Sequence, residues 1–129
     1  MVEVAHPVEV GAQQEAHLLQ WLSKRLGRKL AAPDLQPFGY KLMGGRLLPG
    51  PAGPASFLMY ESASGERFTV YAAKAEAQTT QMRYAAQGNE SALFWADRGV
   101  GYVVSGGRDR GRLTQIAQAV YDQMEKDGS

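Results

Sequence analysis

The sequence contains no cysteine, only two histidines and no long apolar run. Because none of the 129 residues is cysteine, disulfide bonds, thiolate metal sites and a cysteine nucleophile are excluded, while the redox state of the compartment stays open. No stretch reaches the ~18 consecutive apolar residues of a membrane span, and the N-terminus lacks a basic region followed by an apolar one. By itself, this polypeptide is therefore expected to carry neither a membrane anchor nor an export signal.

An excess of charge of one sign is also missing. The 14 Lys and Arg residues nearly balance the 13 Asp and Glu residues, which gives a formal net charge of +1. Binding to a phosphate backbone needs a clustered basic excess, so nucleic acid is a poor candidate partner. Hydrophobic residues make up 44% of the chain and charged residues 21%, and this balance predicts a single folded core.

The residues that usually carry catalysis do not form a motif. His6 precedes a proline in an N-terminal arm, and His17 lies next to a leucine pair, so neither occurs in a nucleophile motif or at zinc-ligand spacing. We therefore predict no enzyme activity, no metal site and no cofactor. A hydrolase with a carboxylate pair remains an alternative, although no pair is singled out among Glu61, Glu66, Glu76, Glu90 and Asp97.

The chain divides into an arm, one domain and a short tail. Residues 1–11 alternate valine with glutamate around Pro7, which indicates an extended arm that could form an edge strand. Residues 12–126 form the single domain, and residues 127–129 are a tail. Within the domain, residues 12–26 are predicted as a helix because leucines recur at helical spacing before Gly27.

Several short segments rich in aromatic and branched residues predict strands. Ser56–Ser62 and Arg67–Ala73 indicate a hairpin, and a further strand begins near Tyr40. Gly44-Gly45 indicates a turn or bulge, and the proline- and glycine-rich residues 49–54 are predicted as a loop. Three more strands at residues 82–86, 92–96 and 101–105 complete what the spacing predicts to be an antiparallel meander.

The last segment has the clearest pattern in the sequence. Apolar residues recur from Leu113 to Met124 at i, i+3, i+4, i+7, i+8 and i+11, which is the stripe of an amphipathic helix, and Asp109 is a plausible N-cap. Strands with a helix at each end predict an α+β fold. In this fold an antiparallel sheet of about five to six strands carries the N-terminal and C-terminal helices on one face.

Aromatic residues on the predicted strands suggest a second contact surface. Adjacent residues such as Phe94 and Trp95 must point to opposite faces of a sheet, so both faces carry apolar bulk. Helices can cover one face, which leaves the other for another chain or domain. The candidate interaction residues are Tyr60, Phe94, Trp95 and Tyr102.

Several linked stretches together produce a family resemblance. The most characteristic are Gly39-Tyr-Lys-Leu-Met-Gly-Gly-Arg-Leu-Leu-Pro-Gly50, Leu93-Phe-Trp-Ala96 and Gly99-Val-Gly-Tyr102, with further matching stretches at residues 6–10, 17–27, 32–35, 53–55 and 57–61. In this order they resemble the C-terminal region of the transmembrane anti-sigma factors of proteobacteria, which regulate extracytoplasmic-function sigma factors. The resemblance extends over roughly residues 6–124.

The resemblance implies a topology and a set of partners. A member of this family has a cytoplasmic domain that sequesters the sigma factor, one membrane helix and an outer domain that governs release, and this chain resembles only the outer domain. It would then lie on the periplasmic face of the inner membrane and act through protein–protein interaction. A periplasmic protein, a protease or a second copy of the chain would be its partner, and the sigma factor would bind only to the cytoplasmic domain, which this chain lacks.

Two further hypotheses remain open at the sequence level. A small-molecule sensor or carrier would hold its ligand between sheet and helix near Tyr40, Tyr71 and Tyr121, although such tyrosines more often cap a core. Within the regulatory hypothesis, the segment from Pro49 to Pro54 would be a docking or cleavage site, against the more ordinary interpretation of a surface connection.

Overall fold

A seven-stranded antiparallel sheet forms the centre of the fold. The computed structural model describes residues 9–11, 15–26, 31–50, 52–76, 79–107 and 109–128. The predicted α+β class, with an antiparallel open sheet and a C-terminal helix, is confirmed. In chain order the elements are β1 (Glu9–Gly11), α1 (Glu15–Leu26), a 3-10 turn (Gln36–Phe38), β2 (Tyr40–Gly50), β3 (Gly53–Ser62), β4 (Arg67–Lys74), β5 (Arg83–Gln87), β6 (Glu90–Asp97), β7 (Val100–Ser105) and α2 (Arg110–Gly128).

The strands do not follow one another as a simple meander. Their order across the sheet is β1-β2-β3-β4-β7-β6-β5, so two three-stranded meanders, β2 to β4 and β5 to β7, meet where β4 pairs with β7. The segment between β4 and β5 carries the chain from the middle of the sheet to its far edge. The predicted simple meander is thus corrected, because a long-range pairing places β7 beside β4.

One sheet face carries the core, and we call it the inner face. Strand alternation places Leu58, Phe68, Val70 and Val104 on this face, and cross-strand pairs keep them in register across the sheet. The helix α2 lies over β6 and β7. Its predicted stripe is confirmed by burial: Leu113, Ile116, Ala117, Val120 and Met124 all belong to the buried cluster.

The first turn of α2 is capped as its sequence predicts. The backbone N–H of Arg112 donates a hydrogen bond to Oδ1 of Asp109 over 3.1 Å, and the N–H of Leu113 donates to the Asp109 carbonyl. The helix continues through Gly128, so residues 127 and 128, assigned above to a tail, are helical.

The N-terminal region supplies a short helix and a short edge strand. Of the predicted arm, Glu9–Gly11 forms β1, which pairs antiparallel with β2, and residues 1–8 lie outside the described residues. The helix α1 covers twelve residues, and its Leu19 is buried in the same cluster as the stripe of α2. The first three residues of the predicted helix, 12–14, also lie outside the described residues.

The segment predicted as a loop at residues 49–54 is instead the end of a hairpin. Pro49 pairs with Pro54 and Gly50 with Gly53, so both strands continue to a turn at Ala52. Pro49 and Pro54 are tolerated because this end of the hairpin extends beyond the residues that pair β3 with β4. Among the described residues, no third strand pairs with either proline, so the missing proline N–H groups break no ladder hydrogen bond. The predicted irregularity at Gly44-Gly45 is a bulge, since the register shifts between Leu42 and Gly44.

Candidate interaction surface

Three of the four residues predicted for an interaction surface lie in the core. Tyr60 and Tyr102 are each 1% exposed and Trp95 is 3% exposed, all on the inner face. Trp95 stacks on Tyr102 with ring centroids 5.3 Å apart and meets Tyr121 of α2 edge-on at 5.9 Å. These contacts hold α2 to the sheet, so Trp95 and Tyr102 are corrected from interaction residues to packing residues.

Tyr60 is tied into the core through its hydroxyl group as well as its ring. The hydroxyl donates a buried hydrogen bond of 2.7 Å to the carbonyl oxygen of Pro33, in the connection that follows α1. This bond satisfies the polar end of a fully buried tyrosine and fixes the connection against the sheet. Tyr60 therefore also leaves the candidate surface.

Phe94 alone of the four lies on the opposite sheet face, which we call the outer face. It is 39% exposed, a large fraction for a phenylalanine in the middle of a sheet. The register places it in a row that crosses six strands, in which every central member is apolar or aromatic. This row, the outer-face row, consists of Arg46, Phe57, Tyr71, Val103, Phe94 and Arg83.

The residues beside the outer-face row extend its apolar character. Met59, two residues beyond Phe57 on β3 and on the same face, is partly exposed, and Met43 on β2 is 51% exposed. The next row also contains Thr69 and Ser105, whose hydroxyl oxygens lie 2.7 Å apart in a hydrogen bond that satisfies both groups locally. The outer face is therefore mostly apolar, and its polar groups at this position are already bonded.

The β2–β3 hairpin closes one end of the outer face. Ala55 is fully buried and Ala73 is 4% exposed, although both lie on this face. A side-chain Cβ at Gly50 would lie 2.8 Å from the Gly53 carbonyl oxygen and 3.5 Å from the Ala73 Cβ, so the hairpin end approaches too closely for a larger residue. Small residues thus allow the hairpin to fold over this end, and the open part of the face is the outer-face row and its Met59 side.

Arg46 gives the outer face a positive charge at one end of the row. Its guanidinium carbon lies 5.0 Å from the ring centroid of Phe57, a cation–π geometry. The Nε atom is buried and has no hydrogen-bond partner within the described part of the chain, and Arg46 forms no ion pair there. A buried guanidinium N–H without an acceptor is costly, so a carboxylate near this position would be favoured, and the register places Glu9 of β1 opposite Arg46.

Strand parity is the signal that could have separated the two faces from sequence. On β7, Val100, Tyr102 and Val104 alternate with Gly101, Val103 and Ser105, and the bulkier set belongs inside. On β6, Leu93 and Trp95 share one face and leave Phe94 on the other. Arg46, Phe57 and Tyr71 were missed because only the pairing between strands shows that they share a row with Phe94.

The residues proposed for a small-molecule site do not converge. Tyr40 is buried on the inner face and Tyr121 packs on Trp95, whereas Tyr71 lies in the outer-face row on the other side of the sheet. Among the described residues, one open groove of about 430 Å³ lies beside Tyr40 and another of about 390 Å³ lies beside Tyr121, and Tyr71 lines neither of them. The geometry therefore offers no site shared by the three tyrosines.

Three of the carboxylates considered for catalysis make local side-chain contacts that serve structural roles. Glu61 pairs with Nε of Arg67 at 3.0 Å, Glu66 accepts the hydroxyl hydrogen bond of Tyr40, and Asp97 accepts a bond of 3.3 Å from Thr79. In the described ranges, no three His, Asp or Glu side chains lie close enough together to hold a metal ion. His17 is exposed on α1, and His6 lies outside the described residues.

The part of the chain that the structure covers contains no helix long and apolar enough to cross a membrane. Comparisons with protein-family models, with curated proteins and with solved structures found no match to this chain.

Proposed function

We propose that this chain is the periplasm-facing regulatory domain of a membrane-anchored anti-sigma factor, and that it acts by binding another protein through the outer face. The outer-face row is the observation that carries the binding role. It presents Phe57, Tyr71, Val103 and Phe94 side by side with no covering element among the described residues. The resemblance to transmembrane anti-sigma factors supplies the regulatory role, which the row by itself does not specify.

The chemistry of the outer face suggests what its partner carries. An apolar row bordered by Arg46, whose buried Nε has no acceptor among the described residues, fits a protein surface with apolar side chains and a carboxylate near Arg46. Such a partner would be a periplasmic regulator or protease whose binding differs between two states of the anti-sigma factor, because only differential binding transmits a signal. Catalysis by this domain forms no part of the proposal.

The proposal includes the arrangement of the two helices. Both α1 and α2 would brace the inner face, which leaves the outer face as the only broad sheet surface for a partner. The burial of Leu19 in the same cluster as Ile116 supports this arrangement. The native reading frame would then encode an apolar segment of about 20 residues ahead of this domain and a sigma-binding domain ahead of that segment.

The test measures transcription in the bacterium that carries the native gene. Deletion of the gene should raise the transcripts of one extracytoplasmic sigma regulon by roughly ten-fold or more, because the sigma factor loses its inhibitor. Phe94→Ser and Arg46→Glu should each change the response of the same regulon to envelope stress by several-fold, at wild-type protein abundance on immunoblots. Lys24→Glu, an exposed charge reversal on α1, is the matched control and should behave as the wild type.

Two outcomes would contradict different parts of the proposal. If deletion leaves every such regulon unchanged, the anti-sigma role is wrong. If deletion has the expected effect but both outer-face variants respond like the wild type, the role stands and the outer face is not the binding surface.

A further inference from the structure

The two edges of the sheet are built differently. At one edge lies β1, which pairs with β2 at Gly44–Arg46, beside the bulge at Gly44. It has only three residues, which offers a further strand little backbone to pair with. At the other edge lies β5, which has five residues and beyond which the described residues place no further strand. The strand β5 is therefore the longer of the two edge strands.

The strand β5 lacks several of the features that protect an edge strand. Its five residues pair with β6 in an unbroken register, and they include no proline, no lysine and no bulge. Apart from the partly buried Tyr84 they are exposed, and among the described residues the backbone of β5 bonds only to β6. Such an edge presents a row of free N–H and C=O groups that a further antiparallel strand can satisfy.

We propose that β5 is a self-association edge, where a second copy of this chain adds its own β5 about a two-fold axis through Ala85. Antiparallel pairing centred on Ala85 places Arg83 opposite Gln87 of the second copy, and Tyr84 opposite Ala86 of the second copy. The centre of the contact is then two small alanines, and no like charges oppose each other. One continuous sheet runs through both copies.

The charges beside β5 complement each other across this axis. Arg83 and Phe94 share the outer-face row, and Gln87 and Glu90 are paired in the same way at the other end of β5. In the dimer, one row across the joined sheet therefore contains Phe94 and Arg83 of one copy, followed by Gln87 and Glu90 of the second copy. With strands ~4.8 Å apart, Arg83 and that Glu90 are ~10 Å apart at the backbone, within reach of an arginine and a glutamate side chain.

Because of the two-fold axis this ion pair occurs twice, with Arg83 of each copy opposite Glu90 of the other. Exposed ion pairs add little affinity but select partner and register, which favours a second copy over an unrelated strand. The contact uses β5 and Glu90 at the start of β6, and it is independent of the anti-sigma role proposed above. It also places the two outer faces on the same side of the joined sheet, where they form one wider surface.

A charge-reversal cycle tests the register of the contact. Because five-residue edges bury little area, we expect a monomer–dimer equilibrium between ~10 μM and ~1 mM in analytical ultracentrifugation. Arg83→Glu and Glu90→Arg should each weaken the dimer by roughly ten-fold, and the double variant should return to within about three-fold of the wild type. Lys24→Glu, the control reversal on α1, should leave the equilibrium unchanged, and circular dichroism should confirm that each variant is folded.

Cysteine cross-linking tests the position of the axis, using the absence of any native thiol. Ala85→Cys should oxidise to a disulfide-linked dimer, because the two copies of residue 85 face each other within disulfide range. Ala92→Cys is the matched control on β6, one strand further in, and its two copies would be ~14 Å apart and should remain unlinked.

Three results would overturn the proposal. They are a monomer at every concentration, equal cross-linking at positions 85 and 92, or a double charge reversal no better than the single ones. A monomeric chain that cross-links through position 85 to a different protein would assign the edge to an unrelated strand. The transcription experiment uses variants of Phe94 and Arg46, which the dimer experiments do not change. A failure of the dimer proposal would therefore leave the test of the regulatory role unaffected.

Discussion

Adjacent residues on β6 have opposite roles in this protein. Trp95 fixes α2 to the sheet, while Phe94, its neighbour in sequence, belongs to the open surface. Composition and propensity treat the two alike, and only the alternation of the strand separates them. The sequence predicted that both faces carry aromatic residues, but the assignment of Tyr60, Trp95 and Tyr102 required knowing which side α2 covers.

The fold changes the protonation of Tyr40. Its ring is 2% exposed and meets Phe68 edge-on, and its hydroxyl donates to Glu66. Burial is the main cause that raises the pKa of Tyr40 to about 12, and the hydrogen bond to Glu66 and the charge of Glu66 add to it, against the opposing charge of Arg112. The folded protein therefore holds the Tyr40 proton more tightly than the unfolded chain does.

This difference makes stability fall with rising pH. Below pH ~10 the hydroxyl is protonated in both states and its contribution is complete; as pH rises toward ~12, the unfolded state loses the proton first and the contribution is lost. We expect the free energy of unfolding to drop between pH ~9 and pH ~12 by about 2 kcal/mol more in the wild type than in Tyr40→Phe. Denaturant titrations at both pH values measure this.

A second tyrosine provides the control for the pH experiment. Tyr84→Phe removes one hydroxyl but keeps a ring for Arg110, whose guanidinium carbon lies 4.0 Å from the centroid. It should show the same drop as the wild type. An equal drop in Tyr40→Phe and the wild type would contradict the role assigned to Tyr40.

At the scale of elements, patterns confined to one segment were predicted well and pairings between distant segments were not. The α2 stripe and the β3–β4 hairpin repeat within a few residues, so their periods are visible in the sequence. The sequence predicted a loop at the end of the β2–β3 hairpin because prolines such as Pro49 and Pro54 usually break strands. That both prolines lie beyond the residues of β4 that pair with β3 depends on the tertiary structure and cannot be seen in the sequence. The pairing of β4 with β7 joins residues about 30 apart and leaves no local trace.

The connection from β7 to α2 depends on the absence of a side chain at Gly106. The residue has φ of 150°, and an added Cβ would lie 2.4 Å from the Arg67 carbonyl oxygen and 2.8 Å from Cδ1 of Phe68. Gly106→Ala should therefore force β4 and the connection apart, and we expect a loss of about 3 kcal/mol or more in the free energy of unfolding. Thermal or denaturant unfolding measures the loss.

Gly65 gives the matched comparison for Gly106. It also has a positive φ, 89°, but an added Cβ there would meet nothing within 4 Å. Gly65→Ala should cost only about 1 kcal/mol, the strain of the backbone conformation alone. Equal losses for the two variants would show that the contact with β4 does not matter.

The whole molecule should unfold as one unit, although its sheet consists of two meanders. One buried cluster contains residues of both, and six cross-strand pairs join β4 to β7. The chain has two tryptophans, Trp21 on α1 and Trp95 under α2, which report on opposite halves. In Trp21→Phe and in Trp95→Phe, we expect the remaining fluorescence and the circular dichroism signal of the same variant to share one midpoint.

Separate midpoints within either single-tryptophan variant would show that the meanders unfold independently. A wild-type protein with one buried cluster has no boundary at which such a division is expected. Comparing two signals within each variant removes the effect of the stability that Trp95→Phe itself costs.

The late arrival of β7 imposes an order on synthesis. When Lys74 leaves the ribosome, β4 has its hairpin partner β3 on one side and nothing on the other, and β7 follows only ~30 residues later, or about 2 to 6 seconds at ordinary translation rates. During this interval Phe68 and Val70 have neither β7 nor α2 against them. The nascent chain therefore exposes the apolar side of β4 throughout this interval, when it should need a chaperone most.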